Sequence, residues 1–565
     1  MSANDSKNVT PAVEPTMITI ENGQKVDVST LKASDHVKAL NPVMLVASIL
    51  VGCLGAIIGL ELITRVGVNQ NTSITGVLIA VVLSLIPGRL FRRFKNIHAQ
   101  NLIQTSISAS SYAAANAMML PICIPVLMGR NDLMVPVLIG VALATVVDGF
   151  LIYKVFDSPM FAATNPYPSG IATAETSLAL ANRGKRSLLL FAGMAVGAAG
   201  KALGIPMDLF GVSWFGNVMA MMAFALGSIV NGSLIPAWAA AVSTDGTTPT
   251  MIAYLPHGIM IGAGLISLIQ AWMVLSKKGN KVKMSDQHTC TVSMESMRKS
   301  LLLGFGLFLA IAILLAVITG IYYEMGIIEL VIWVLFAAFA AIASELVCGL
   351  SAMHSGWFPA MATALIFLMI GIMMGFPPLA LGVLVAYTAA TGPAFTDMAT
   401  DLKAGWVLRG RGANPEFEKE GRKQQFICDL VGYGVAFVMV LVMANTYFSQ
   451  DLFVPTARTY IATIEAGANF EIAKWLIIWA IPGAIIQFVG GHRQLGILFA
   501  TGLLIGNTTN GLTVLVALLI RVVALRWKKQ KAQDLLYILG AGCIAGSALY
   551  SFFSSTLKLT DARKK

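Results

Sequence analysis

Apolar stretches of about 20 residues, separated by short polar or basic turns, recur from residue 42 to residue 553. A run of that length spans the hydrocarbon core of a bilayer as an α-helix. In lipid every backbone N–H and C=O needs an internal partner, so only helices and closed barrels can cross. Barrel strands alternate over about 10 residues, and these runs do not alternate. Clear runs cover 42–64, 73–91, 133–154, 187–205, 216–236, 251–275, 299–320, 326–344, 360–375, 378–393, 426–447, 473–490, 494–524 and 535–553. Two milder ones, 100–128 and 157–182, are rich in Ser, Thr, Ala, Asn, Gly and Pro, which suits tightly packed, broken or re-entrant helices. The expected fold is an all-α polytopic transmembrane helix bundle of about 14–16 hydrophobic segments.

Composition agrees. Over 565 residues, 56% are hydrophobic and 12% charged, with a mean hydropathy of +0.76. A soluble domain carries about 25% charged residues, so a soluble enzyme, a disordered chain and a disulfide scaffold are excluded. The net charge of +11 sits in short loops and reads as topology setting rather than nucleic-acid binding. Basic clusters occur at 89–95, 277–283, 298–299, 409–423 and 526–531. They place the N-terminus, the central loop and the C-terminus on the cytoplasmic side of the membrane. The expected layout is a polar N-terminal tail (1–41), a first transmembrane half (42–276), a linker (277–297), a second half (298–556) and a basic tail (557–565). The tail shows no cleavable signal pattern. Halves that begin and end on one side suggest two parallel pseudo-repeats related by an axis along the membrane normal.

Charges at membrane depth are costly and usually functional or paired. The chain places Glu61, Asp148, Glu175, His257, Glu345, His354, Asp397, Asp401, Lys403 and Asp429 within or beside apolar segments. For Glu61 and Asp429, near span ends, an interhelical hydrogen bond is an equal reading. The stretch Asn165-Pro-Tyr167-Pro-Ser169-Gly170-Ile-Ala-Thr173-Ala-Glu175 cannot continue a lipid-facing helix, so its freed backbone groups must face protein or a cavity. A helix restarting near Ser169 would aim its N–H groups at a carboxylate or other anion. Two further irregular stretches follow. Glu345 to Pro359 includes Gly349, Ser351 and His354; Thr391 to Trp406 carries Asp397 and Asp401 on one helical face, with Lys403 off it.

These residues carry a resemblance. Pro-Ser-Gly-x-Ala-Thr-Ala-Glu at 168–175 resembles the signature of the oligopeptide transporter (OPT) superfamily, especially its bacterial and yellow-stripe-like branch. Asp401-Leu-Lys403-Ala-Gly405, with Arg422-Lys423-Gln424-Gln425 beyond it, is similar to that branch's second-half motif. Ile171 stands where the family usually has Thr, and 351–356 departs from an expected Asn-Pro-x-Ser-Gly. The resemblance implies proton-driven uptake of short peptides, glutathione-like peptides or metal–chelate complexes. Glu175, Asp148, Asp397 and Glu345 are then the proton-coupling candidates. Tyr167, Ser169, Gly170, Thr173, His257, Ser351, His354, Asp401 and Lys403 are the substrate-binding candidates. Expected partners are the substrate, protons and the bilayer, with a homodimer left open. Neither a cofactor nor a metal site is expected. A passive channel fits the irregular halves less well, and an enzyme lacks its motifs: no His-Glu-x-x-His, no Gly-x-Ser-x-Gly with a histidine base, and no Walker sequence.

Overall fold

A computed structural model describes residues 17–562 except 21–23, 66–72, 86–87, 89–90, 183–184, 216, 244–247, 277–289, 357, 468–469, 494 and 506. Most of the expected linker therefore lies outside the described residues, as do residues 1–16 and 563–565. The first elements are a short antiparallel hairpin, β1 (Met17–Thr19) with β2 (Lys25–Asp27), in which Met17 faces Asp27. Helices follow: α1 (Pro42–Arg65), α2 (Ser73–Leu85), α3 (Ile97–Leu127), α4 (Met134–Val155), α5 (Pro168–Asn182), α6 (Lys185–Ala202), α7 (Met207–Phe215), α8 (Val218–Val242) and α9 (Leu255–Ser276). Next come α10 (Met294–Ile318), α11 (Ile327–Ser355), α12 (Ala360–Met373), α13 (Pro378–Ala390), α14 (Pro393–Leu408) and α15 (Pro415–Phe448). The last are α16 (Pro455–Ala466), α17 (Phe470–Gly490), α18 (Leu495–Ile505) and α19 (Thr508–Ala562). Nine described helical stretches are long and apolar enough to cross a membrane, and six shorter ones are apolar. The chain is a multi-pass all-α membrane protein.

Local chemistry sets the boundaries. Side-chain oxygens of Asn96, Asn217, Ser293 and Asn414 accept N–H groups at the starts of α3, α8, α10 and α15. Pro378, Pro393, Pro415 and Pro455 occupy first helical positions, where no N–H is needed. Within α3, residues Ala113–Met119 widen to a π-helical turn just before Pro121, which cannot donate to the ladder. The run expected at 378–393 and the irregular 391–406 are two helices, broken at Thr391 and Gly392. The single run expected at 494–524 is likewise divided, into α18 and the first part of α19.

α19 is helical throughout but not straight. Gly211 of α7 packs on the Gly540 carbonyl, yet Trp214, three residues on, donates to the Ala517 carbonyl at 3.0 Å. A straight helix would separate residues 517 and 540 by about 35 Å. The chain therefore turns back between a first limb, 508–526, and a second, 535–562, as the basic cluster at 526–531 suggests.

One face of the molecule gathers the N-terminal segment, the end of α4, the chain emerging from the central linker and the start of α15. Asn414 Nδ2 donates to the carbonyls of Val28 (2.9 Å) and Leu31 (2.7 Å), and the Ala39 N–H donates to Gln424 Oε1. Arg422 donates to the Phe156 carbonyl (3.0 Å) and Thr291 Oγ1 (2.9 Å). The described part of the expected soluble tail is thus docked rather than free. The opposite face holds residues 127–133 and 320–327, where Glu324 lies within electrostatic reach of Arg130.

These faces give the helices directions, and the directions overturn the parallel repeat. The order long, short, long, long in α1–α4 recurs in α11, α12, α13 with α14, and α15. Packing recurs too: α2 lies on α3 as α12 lies on α13, and α4 meets α14 as α15 meets α3. Each counterpart runs the other way. α1 leaves the N-terminal face and α11 approaches it; α4 approaches it and α15 leaves it. The repeats are inverted, and α10 is the unpaired crossing between them. The expectation that both halves begin and end on one side fails because α10 reverses the second. Close glycine contacts in step along both chains make α6 parallel to the second limb of α19, and α9 parallel to α17.

Candidate functional site

The three irregular stretches meet. Tyr167 takes a left-handed backbone (φ 40°) and donates its N–H to the Met353 carbonyl at 2.8 Å. Asn165 Nδ2 reaches Met353 Sδ at 3.1 Å, and the Asn217 N–H donates to the His354 carbonyl at 3.2 Å. The Pro-rich loop and the start of α8 are therefore pinned to the last turn of α11. From α14, Lys403 Nζ donates to the carbonyls of Ala163 (2.6 Å) and Asn165 (2.9 Å). Its ammonium lies 4.5 Å from the Trp406 ring centre and 5.9 Å from that of Tyr167. α5 crosses α14 so closely that a Cβ on Gly170 would lie 2.4 Å from the Thr400 carbonyl oxygen. Only glycine fits that approach.

Buried carboxylates line the bundle behind this junction. Asp148 Oδ2 accepts the Gly392 N–H at 2.7 Å, where the α13–α14 break frees it, while Oδ1 has no hydrogen-bond partner among the described residues. Neither oxygen of Glu345 has a hydrogen-bond partner among the described residues, and the two carboxyls act on each other electrostatically. A second group belongs to α14 and α15. Asp397 accepts from Ser108 Oγ, and Asp401 Oδ1 accepts from Gln104 Nε2 at 2.6 Å. Ser73 Oγ, 2.8 Å from Ser108 Oγ, adds a longer contact to Asp401. Both oxygens of Asp429 and the hydroxyl of Tyr433 are buried with no hydrogen-bond partner among the described residues. Gln425 joins this group to the N-terminal face: it donates to the Asp401 carbonyl (2.7 Å) and accepts from Arg409 Nη1 (2.8 Å). Arg409 in turn forms a fully buried, two-pronged pair with Glu418, at 2.8 and 3.0 Å.

Other expected residues fall as follows. Glu175 is buried on α5, one turn after Ile171 and on the same face. Ser169 and Thr173 are buried on that helix, with Thr173 Oγ1 donating to the Ser169 carbonyl. Ser351 and His354 are buried on the last turns of α11, and the Tyr167 hydroxyl is buried with no hydrogen-bond partner among the described residues. His257 stands apart from this junction, with the Tyr254 ring as its neighbour at 5.8 Å. Glu61 accepts from the Tyr447 hydroxyl at 3.0 Å, the interhelical bond anticipated for it. Asp429 does not follow that pattern, since α15 begins fourteen residues before it and buries it fully.

Sequence reasoning quoted Gln425 within a motif without giving it a role, and it missed Gln104, Ser108 and Tyr433, although the Gln- and Ser-rich composition of 97–112 marked a helix facing polar neighbours. It also missed the arginines of the cavity. That cavity, about 460 Å³, lies between first-half residues Thr164, Pro166, Ile171 and Asn217 and second-half residues Arg493, Arg521 and Tyr537. Among the described residues no group of three or more His, Cys, Asp or Glu is placed to hold a metal ion.

A family model, OPT oligopeptide transporter protein, matches residues 39–267 and 197–558 of the chain. No curated protein matches it.

Proposed function

Since the chain belongs to the OPT oligopeptide transporter family, we propose that it is a secondary active transporter that couples proton entry to uptake of short or glutathione-like peptides. The membrane is the plasma membrane, bacterial and inner, with the N-terminal face in the cytoplasm. The observation that carries this reading is the cavity between the two halves, set beside buried carboxylates. A volume of about 460 Å³ falls within the usual range for small-molecule sites. Its wall residue Ile171 shares a helical face with Glu175, so protonation there and occupancy of the cavity act on one element, α5.

Burial disfavours the charged form of a carboxylate, which makes such a group able to take a proton from one side and give it up to the other. Glu175, Asp148, Asp397 and Glu345 are the carriers proposed. Tyr167, Ser169, Thr173, Ser351 and His354 shape the substrate path, and Lys403 holds the loop that walls it. An anionic ferric chelate is the second reading, favoured by the two guanidinium groups at the cavity. The test is uptake into proteoliposomes of tripeptides, glutathione and ferric chelates under an imposed pH gradient. Accumulation of peptide that a protonophore abolishes is expected. Peptide entry that only equilibrates, insensitive to the gradient, would overturn the coupling.

A further inference from the structure

The cavity is strongly asymmetric in charge. Its second-half wall presents Arg521 from the first limb of α19 and Arg493 from the turn between α17 and α18. No carboxylate is among its described lining residues. Tyr537 joins them from the second limb of α19, brought there because that helix turns back on itself. Arg521 is anchored: its Nη1 donates to the Ser213 carbonyl at 3.0 Å, near the end of α7. Across the cavity α8 begins, with Asn217 Oδ1 accepting the N–H groups of Met219 and Ala220. A helix start carries partial positive charge, so three features of one sign converge on a space shared by both halves.

We propose that Arg521, assisted by Arg493 and the start of α8, binds the C-terminal carboxylate of the transported peptide. This rests on the peptide reading above and gives the bound substrate a direction. A guanidinium presents a planar fork of donors that matches a carboxylate with two parallel bonds. The anchor to Ser213 holds that fork at the wall before substrate arrives, which lowers the ordering cost of binding. The carboxylate end then faces the second half, and the remainder of the peptide lies toward Pro166 and Ile171, on the α5 side where Glu175 stands.

The experiment measures binding of radiolabelled trialanine and of trialanine amide to the full chain in lipid nanodiscs. The free acid is expected to bind at least roughly tenfold tighter than the amide, since a charge-assisted pair is lost. In Arg521→Gln the preference should shrink to within about twofold, by weakening of the acid alone. Arg521→Lys, which keeps the charge without the fork, should retain part of it. If Arg521→Gln does not fold, the wild-type acid-to-amide ratio and the Arg521→Lys variant decide. Equal binding of acid and amide by the wild type, or equal weakening of both by the variant, would overturn this assignment and leave peptide transport standing. Wild-type protein that binds neither peptide would overturn the transport reading itself.

Discussion

Replacing Lys403 by methionine isolates what one buried ammonium does. The side chain keeps an unbranched stem between Trp406 and Tyr167, so no large cavity opens. What disappears is the donor to the carbonyls of Ala163 and Asn165, at 2.6 and 2.9 Å. Each buried carbonyl left unsatisfied costs about 1–3 kcal/mol. Relief from burying the ammonium offsets part of the sum, and a net of about 3 kcal/mol against the docked loop follows. At about 1.4 kcal/mol per decade, the equilibrium constant for docking falls roughly a hundredfold. The rest of the core is untouched, so the variant should fold. An Ala163→Cys derivative, at a position fully buried in the docked loop, should react with a maleimide far faster than the same cysteine in a Lys403 background, and peptide half-saturation should rise in parallel. Arg at 403 should restore part of both. A Met variant with wild-type alkylation and uptake would refute the idea that this ammonium holds the cavity wall.

Glu175→Gln should fold normally yet fail to accumulate peptide against a gradient; unchanged coupling in vesicles would move the carrier to Asp148 or Asp397. Arg409→Met removes the two-pronged partner of buried Glu418 and leaves it only the longer contact to Arg422 at 3.5 Å, at an expected cost of about 3 kcal/mol, and Arg409→Met with Glu418→Leu should recover most of it in thermal melts. His36 packs on His98 and Phe417, and burial, with Arg409 nearby, pushes its imidazole down to about 3. The released segment would take up a proton below pH 6.5, so docking is fully stable above that pH and weakens as pH falls toward 3. By pH 5 the loss is roughly 2 kcal/mol, to be read as faster hydrogen exchange over residues 24–40 and absent in His36→Phe.

The helices were legible because lipid forces the chain to announce each crossing as an apolar run. The site was legible where the chain breaks its own pattern. Asn165 to Glu175 and Thr391 to Asp401 were singled out by prolines, glycines and carboxylates, and the structure brings both to one junction. Lys403 was placed off the Asp397–Asp401 face, and it does serve the Ala163 and Asn165 carbonyls while Asp401 takes Gln104. What stayed hidden depends on pairing across the chain. Arg521 lies in an apolar run beside a basic cluster, and it reaches the first half only because the first limb of α19 packs on α7, an association no local pattern announces. The direction of the repeats was hidden because the two milder runs, 100–128 and 157–182, left the number of crossings in the first half open.

An inverted pair also constrains how its own ancestry can show. A turn that is cytoplasmic in one copy is external in the other, and insertion rules demand opposite charge in the two. The turn between α2 and α3 carries Arg89, Arg92, Arg93 and Lys95, whereas its counterpart between α12 and α13, 374–377, has no charge. The turn between α3 and α4 balances Arg130 with Asp132, whereas the one between α14 and α15 carries Arg409 and Arg411. Selection for orientation therefore drives equivalent turns apart in sequence while lipid keeps equivalent helices interchangeably apolar. Two copies of one ancestral segment would lose their sequence likeness first at the turns, and retain it longest in the order in which helices pack.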